Sequence, residues 1–400
     1  MEERWTAQLV FAVLSASIGS FEFGYNIGCI NMPADIIKQW FADSYNKPPK
    51  LGKLKTANDM KTEWAVAVSI FAIGGIFGGL SVGFVADKLG RKTALLMNNV
   101  VALIATGFFM FAKHFDIRYL FIAGRLCVGL NAGLNSGLVP MYLTEISPAN
   151  LRGTIGSFAQ LFVTISILAS QIVGLPSLLG TASRWPWIFY GICVEAELNQ
   201  MASEAASARG KTEITYVSLF GSNLCWPLAL STFMMVSQQL SGINAGPNYA
   251  TLAMGAINVL MTVVSVYLVD RLGRRTLLIG GFIGMLFTTA MIAVSMLIVK
   301  YVKSLNWFSY VSIASVLAFV ISFAAGAGSI PWFFVSEVFP LNARGKANSI
   351  AVFCNWFFTF FVGMIFPLIE SPSRIFLLRF HCPGCLVHSI PLEIHARNEE

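Results

Sequence analysis

Four hundred residues that are 56% hydrophobic and 12% charged, with a mean hydropathy of +0.68, exclude an ordinary soluble protein. A soluble chain would carry about a quarter charged residues. The net charge of +7 is assigned to loops facing lipid headgroups, so a lipid bilayer is the expected environment and no nucleic-acid partner is expected. Five of the seven cysteines (Cys29, Cys127, Cys193, Cys225, Cys354) lie in apolar runs as small hydrophobes, and no disulfide framework is suggested. The first apolar run is too long for the core of a cleavable signal.

A spanning helix needs roughly 20 mainly apolar residues. In chain order, ten stretches meet that length: 8–32, 64–86, 94–112, 118–143, 154–178, 216–244, 250–269, 276–299, 308–335 and 348–369. An eleventh, 185–194, is short before acidic residues begin and makes a doubtful helix. Residues 34–63, between the first two spans, form a polar segment with Lys38, Lys47, Lys50, Lys53, Lys55 and Lys61. Residues 195–215 read as a cytoplasmic, helical linker between two halves. With the N-terminus inside, and the lysine-rich first loop set aside, the inside loops carry more than twice as many Lys and Arg as the outside ones. That is the direction the positive-inside rule requires. Gly75, Gly79 and Gly83 in the second span, and Gly129, Gly133 and Gly137 in the fourth, mark faces where helix backbones approach closely.

Two motifs occur twice. The turn Asp87-Lys88-Leu89-Gly90-Arg91 returns as Asp270-Arg271-Leu272-Gly273-Arg274. Two spans later in each half comes E-x-x-P-x-N-x-R-G, as Glu145 to Gly153 and Glu337 to Gly345. Repeated motifs in the same order imply a chain built as two similar halves. The domains expected are an N-terminal bundle (1–194), the linker (195–215), a C-terminal bundle (216–370) and a divergent tail (371–400).

The chain resembles the sugar porter family of the major facilitator superfamily, and within it the animal facilitative glucose transporters. The residues that carry the resemblance are Phe23-Gly24-Tyr25-Asn26, both Asp-x-x-Gly-Arg turns, Gly124-Arg125, Pro140 to Glu145, Arg152-Gly153, Gln160 and Gln171. In the second half they are Gln238 to Asn244, Asn258, Pro331-Trp332, Glu337 and Asn355-Trp356. The resemblance implies an all-α membrane protein with the two-bundle fold of that superfamily. About eleven of twelve transmembrane helices are expected, the sixth shortened and the twelfth missing. It also implies transport rather than an enzymatic reaction, with no cofactor and no metal, and a plasma-membrane location.

A sugar is uncharged and rich in hydroxyls, so its site needs amides, which both donate and accept, and an aromatic plane. The resemblance assigns that role to Gln160, Gln238, Gln239, Asn244, Asn258 and Asn355, with Trp332 as the platform. Gly242, beside Ile243-Asn244, is expected to interrupt the seventh span. Three family positions are altered: Ala324 replaces an acid, Thr359 replaces an asparagine, and Met235-Val236-Ser237 stands where glucose-preferring members have Gln-Leu-Ser. The hexose, glucose or fructose, is therefore left open. A proton symporter needs a titratable group in the bundle. Family symporters place an aspartate where this chain has Asn26, which favours uniport, and Glu22 is the remaining titratable group. Asp87, Arg91, Glu145 and Arg152, with Asp270, Arg274, Glu337 and Arg344, are expected to form ion-pair clusters that latch the halves together on the cytoplasmic side. His381-Cys382-Pro383-Gly384-Cys385 resembles a redox or metal pair but is assigned to an unselected tail. The competing readings are a non-transporting isoform that pairs with a full-length copy, as a homo- or hetero-oligomer, and a proton-coupled symporter.

Overall fold

A computed structural model describes residues 5–46, 60–148, 150–190, 219, 224–240, 248–302 and 307–369. Among these residues there are helices and no strands, and nine helical segments are long and apolar enough to cross a membrane. In chain order the helices are α1 (Ala7–Gly28), α2 (Ala34–Asn46), α3 (Lys61–Leu89), α4 (Arg91–His114), α5 (Arg118–Ile146), α6 (Arg152–Val173) and α7 (Pro186–Tyr190). They continue as α8 (Cys225–Leu240), α9 (Asn248–Leu272), α10 (Arg274–Tyr301), α11 (Phe308–Ala325), α12 (Ile330–Val338) and α13 (Leu341–Ile369). The linker at 195–215, the Gly242 interruption and the tail at 371–400 lie outside the described residues.

Both Asp-x-x-Gly-Arg turns fold alike. Gly90 ends α3 and begins α4 with φ +78°, and Gly273 does the same between α9 and α10 with φ +82°. With ψ near 150° in both, this conformation is essentially confined to glycine, which explains the glycine in each copy. Two long helices are thereby joined by a single residue.

One expected span is present but interrupted. Residues 308–335 do not form one continuous helix but break at Gly326 to Ser329 into α11 and α12. Pro331 at the start of α12 has no N–H to continue the ladder, while Gly328 N–H turns back to the Phe323 carbonyl at 2.8 Å. The Gly328 carbonyl freed by the break accepts from Gln238 Nε2 at 3.0 Å. A break at membrane depth is tolerated where neighbouring groups re-satisfy the backbone in this way.

The polar segment after the first span also holds more order than composition suggests. α2 buries Ile37, Trp40 and Phe41 against Phe121 and Trp185. Trp40 Nε1 donates to Asp116 Oδ1 at 3.0 Å, and Arg118 pairs with Glu63 at 2.6 Å. This end of the first half is thus closed by an aromatic cluster ringed with polar ties.

The halves meet chiefly along two helix pairs, α3 with α13 and α6 with α9, with smaller contacts of α12 and α13 on α5 and of α12 on α6. Gly75 decides the first: a β-carbon there would lie 2.2 Å from the Trp356 ring, so only glycine lets α13 seat its indole against α3. On the adjacent face of α3, Gly74 and Gly78 meet the α5 backbone around Gly129 and Gly133. The two glycine ladders therefore serve different contacts, one between the halves and one inside the first half.

Candidate functional site

Between the halves lies a small cavity. The first half supplies Phe23 from α1, Ser136 and Pro140 from α5, and Gln160 and Val163 from α6; the second supplies Trp332 from α12. None of the lining side chains is ionisable. Gln160 is buried, and its amide makes no hydrogen bond to a described residue. Trp332 is also buried, its ring edge-on to Phe23 at 6.0 Å, and its indole N–H has no partner among the described residues. A buried indole N–H without a partner is costly in a dry interior unless a ligand or water completes it.

The remaining sequence-selected amides are placed differently. Gln238 and Asn355 are both buried and bind one another, Asn355 Nδ2 donating to Gln238 Oε1 at 3.4 Å. Gln238 spends its own N–H₂ on the Gly328 carbonyl, so in this conformation the pair braces the α11–α12 break against α8 and α13. Asn258 sits on α9 with its side-chain oxygen buried and without a partner among the described residues, and it is not among the residues lining the cavity. The Gln239 side chain and Asn244 lie outside the described residues. Phe23, Ser136 and Val163 were not selected as site residues from the sequence. Ser136 and Val163 sit in apolar stretches with nothing to distinguish them, while Phe23 was visible only as part of a motif.

The charged rim is built from the two repeats. In the first half Arg91 reaches Asp87 at 3.6 Å and Glu145 at 3.2 Å; in the second Arg274 reaches Asp270 and Glu337, both at 3.0 Å. Links then cross between the halves. Arg344 pairs with Glu145 at 3.6 Å, and Lys346 with Asp87 at 3.8 Å. Asp270 accepts from the backbone N–H of Thr154 at 2.8 Å and from its hydroxyl. A carboxylate at the first turn of α6 also meets the positive end of that helix dipole. Arg152 forms no ion pair among the described residues; it lies close enough to Arg344 for like charge to be felt, and its Nε is buried without a partner.

Lys346 and Thr154 were missed from the sequence, although a signal existed. Each directly follows the Arg-Gly of its repeat, and each contacts the turn aspartate of the opposite half. The glycine before Thr154 is required by that approach, since a β-carbon on Gly153 would fall 2.3 Å from Asp270 Oδ1.

Deeper in the first half is a second polar cluster. Glu22 on α1 accepts from Asn135 Nδ2 at 3.3 Å and from Asn131 Nδ2 at 3.5 Å, and Asn131 exchanges hydrogen bonds with Asn98 across α4 and α5. One turn on, Asn26 O accepts from Arg125 Nη1 at 3.0 Å, and the guanidinium stacks over Phe71 at 4.4 Å. Arg125 is buried with no carboxylate partner among the described residues.

Nine apolar spans among the described residues, in two sequence-related halves that meet around a small, mostly apolar cavity without an ionisable group and are tied at one end by ion pairs, define a membrane transporter of the major facilitator fold. The proton:xylose symporter XylE bound to 6-bromo-6-deoxy-D-glucose shares that fold, with a TM-score of 0.75 at 22% identity over 98% of this chain and 94% of that one. The chain belongs to the sugar transporter family: residues 12–198 and 193–391 match the family described as Sugar (and other) transporter. It is 42% identical to facilitated glucose transporter protein 1 of Caenorhabditis elegans, over 92% of this chain and 83% of that protein. It is 35% identical to solute carrier family 2, facilitated glucose transporter member 4 of Homo sapiens, over 94% of this chain and 86% of that one. These relatives are transporters rather than enzymes, and this chain is a membrane-spanning sugar transporter.

Proposed function

We propose that the protein carries a hexose, glucose or fructose, across the plasma membrane by facilitated diffusion, through alternating access of the cavity to the two sides. The observation that carries this reading is the cavity itself: the Gln160 amide and the Trp332 indole N–H, the latter buried without a partner among the described residues, with no ionisable group in the lining. Such a surface rewards a neutral polyol and penalises a charged solute. Glucose transport by the named relatives supports the same substrate class.

Uniport is supported by what surrounds Arg125. Its charge is met by the carbonyls of Asn26 and Ala67 and by the Phe71 ring, with no carboxylate beside it among the described residues. Glu22 is occupied by two asparagine amides and is not among the residues lining the cavity. Gln160, Gln238, Gln239, Asn244, Asn258, Trp332 and Asn355 serve in this reading as the sugar-contacting set over the whole cycle. Asp87, Arg91, Glu145, Asp270, Arg274, Glu337 and Arg344 serve in this reading as the cytoplasmic latch, with Arg152 joining it in another state of the cycle.

Uptake of labelled glucose and fructose into proteoliposomes, with and without a pH gradient, tests the proposal. Saturable uptake that ignores the gradient is expected. Accumulation driven by inward protons would overturn uniport, and no saturable uptake of either sugar would overturn the function.

A further inference from the structure

Ser136 belongs to neither the charged rim nor the amide set, yet it stands where three things meet. It is buried on α5, it lines the cavity, and it is bonded across the two halves. Its hydroxyl donates to the Gly133 carbonyl at 2.8 Å, the back-bonding typical of a serine inside a helix. The same oxygen accepts from Trp356 Nε1 at 3.2 Å. A hydroxyl has one hydrogen and two lone pairs. The hydrogen and one lone pair are therefore spoken for, and what remains is a single acceptor site.

The rotamer that fixes this polarity is not free to change. Trp356 is held against Phe71 at 5.3 Å and Phe23 at 5.7 Å, with its ring seated over Gly75. Turning the Ser136 hydrogen towards the cavity would forfeit the Gly133 bond. Trp332 offers the cavity the opposite polarity, an unpaired N–H.

We propose that Ser136 is a specificity-determining residue that accepts a hydrogen bond from one sugar hydroxyl: its own hydrogen is committed to the Gly133 carbonyl and one lone pair to Trp356 while the halves are together, which leaves it acceptor-only. The proposal rests on the hexose reading above and deepens it. It requires the hydroxyl at one ring position to act as a donor. A fluorine there, which accepts but cannot donate, is as poor as a hydrogen.

The test is competition by the monodeoxy and monofluoro derivatives of glucose against labelled glucose, on the full-length wild type, Ser136→Ala and Ser136→Thr. In the wild type, one ring position is expected at which deoxy and fluoro analogues both weaken binding by about 5–20-fold. Ser136→Ala is expected to reduce that penalty below about twofold at that position alone, and Ser136→Thr, which keeps the hydroxyl, to preserve it. Penalties identical in wild type and Ser136→Ala at every position would overturn the proposal while leaving hexose transport standing. Should Ser136→Ala not fold, the wild type still decides: if fluorine restores every loss caused by deoxygenation, no donor-only hydroxyl exists and the proposal falls. If no hexose competes in the wild type, the hexose reading fails and the proposal fails with it.

Discussion

Removing the Glu145–Arg344 contact separates a latch from a mere charge cluster. At 3.6 Å and an effective dielectric constant of about 20, the gross attraction is about 4–5 kcal/mol. Desolvation of both groups offsets part of it, since the two side chains retain only 16% and 8% of their exposure. Arg91 competes for the same carboxylate at 3.2 Å and takes a further share. A net coupling of about 1–2 kcal/mol is left, or about 5–30-fold in the equilibrium between inside-closed and inside-open states. Starting from equal populations, losing it cuts the outward-facing fraction and raises the external half-saturation for sugar about 3–15-fold. The internal value improves by less than about twofold, because that state can at most double its population. The assay is sugar half-saturation from each face of sealed vesicles for Glu145→Gln, Arg344→Gln and the double variant. The cycle matters because Glu145→Gln also removes the Arg91 pair, which lies within one half. Single effects that add to within about 0.3 kcal/mol in the double variant, or unchanged external half-saturation, would refute the latch.

Three further outcomes follow from particular residues. Gly75→Val places its β-carbon within the Trp356 ring and should cost about 1–3 kcal/mol or more through separation of α3 and α13, read as a lower unfolding temperature in detergent; an unchanged midpoint would contradict the packing described. Gly90→Ala meets no neighbouring atom, so its cost is purely conformational, about 1–3 kcal/mol from φ +78°, and Gly273→Ala should match it. Glu22→Gln keeps one acceptor for the Asn131 and Asn135 amides and should leave uptake as indifferent to a pH gradient as in the wild type; a wild type whose uptake is driven by inward protons, with that drive abolished by Glu22→Gln, would instead assign Glu22 a coupling role.

Much of the architecture is legible because a bilayer admits little choice. Continuous apolar runs must be helices, and the single-residue turns at Gly90 and Gly273 are written in the repeated motif itself. The break at Gly326 to Ser329 was harder to see. Its hydropathy is continuous with the flanking helices, and what stabilises it is a glutamine distant in sequence, Gln238, bonded to a backbone carbonyl. The same distance problem divides the amides. Composition announces that Gln160, Gln238 and Asn355 are polar groups in an apolar setting, but only packing tells which of them brace helices and which face the cavity. Ser136 has no sequence signal at all. A serine in a helix satisfies itself on its own backbone, and its second bond comes from Trp356, 220 residues away.

The crossed contacts of the rim carry the strongest argument for why the motifs are repeated. Within each half the turn arginine binds its own acids, an arrangement that a single bundle could make alone. The residue after each Arg-Gly does something a single bundle could not: Thr154 reaches Asp270, and Lys346 reaches Asp87. These two contacts are related by the internal repeat, yet chemically unlike, a backbone and hydroxyl pair on one side and an ammonium on the other. The Arg344–Glu145 pair sharpens the asymmetry, because Arg152, its repeat counterpart, forms no ion pair among the described residues. A latch of this kind need not release as one unit. The Asp87–Lys346 side is a pair of full charges and should weaken with salt, whereas the Asp270–Thr154 side depends on geometry at a helix terminus and should weaken less.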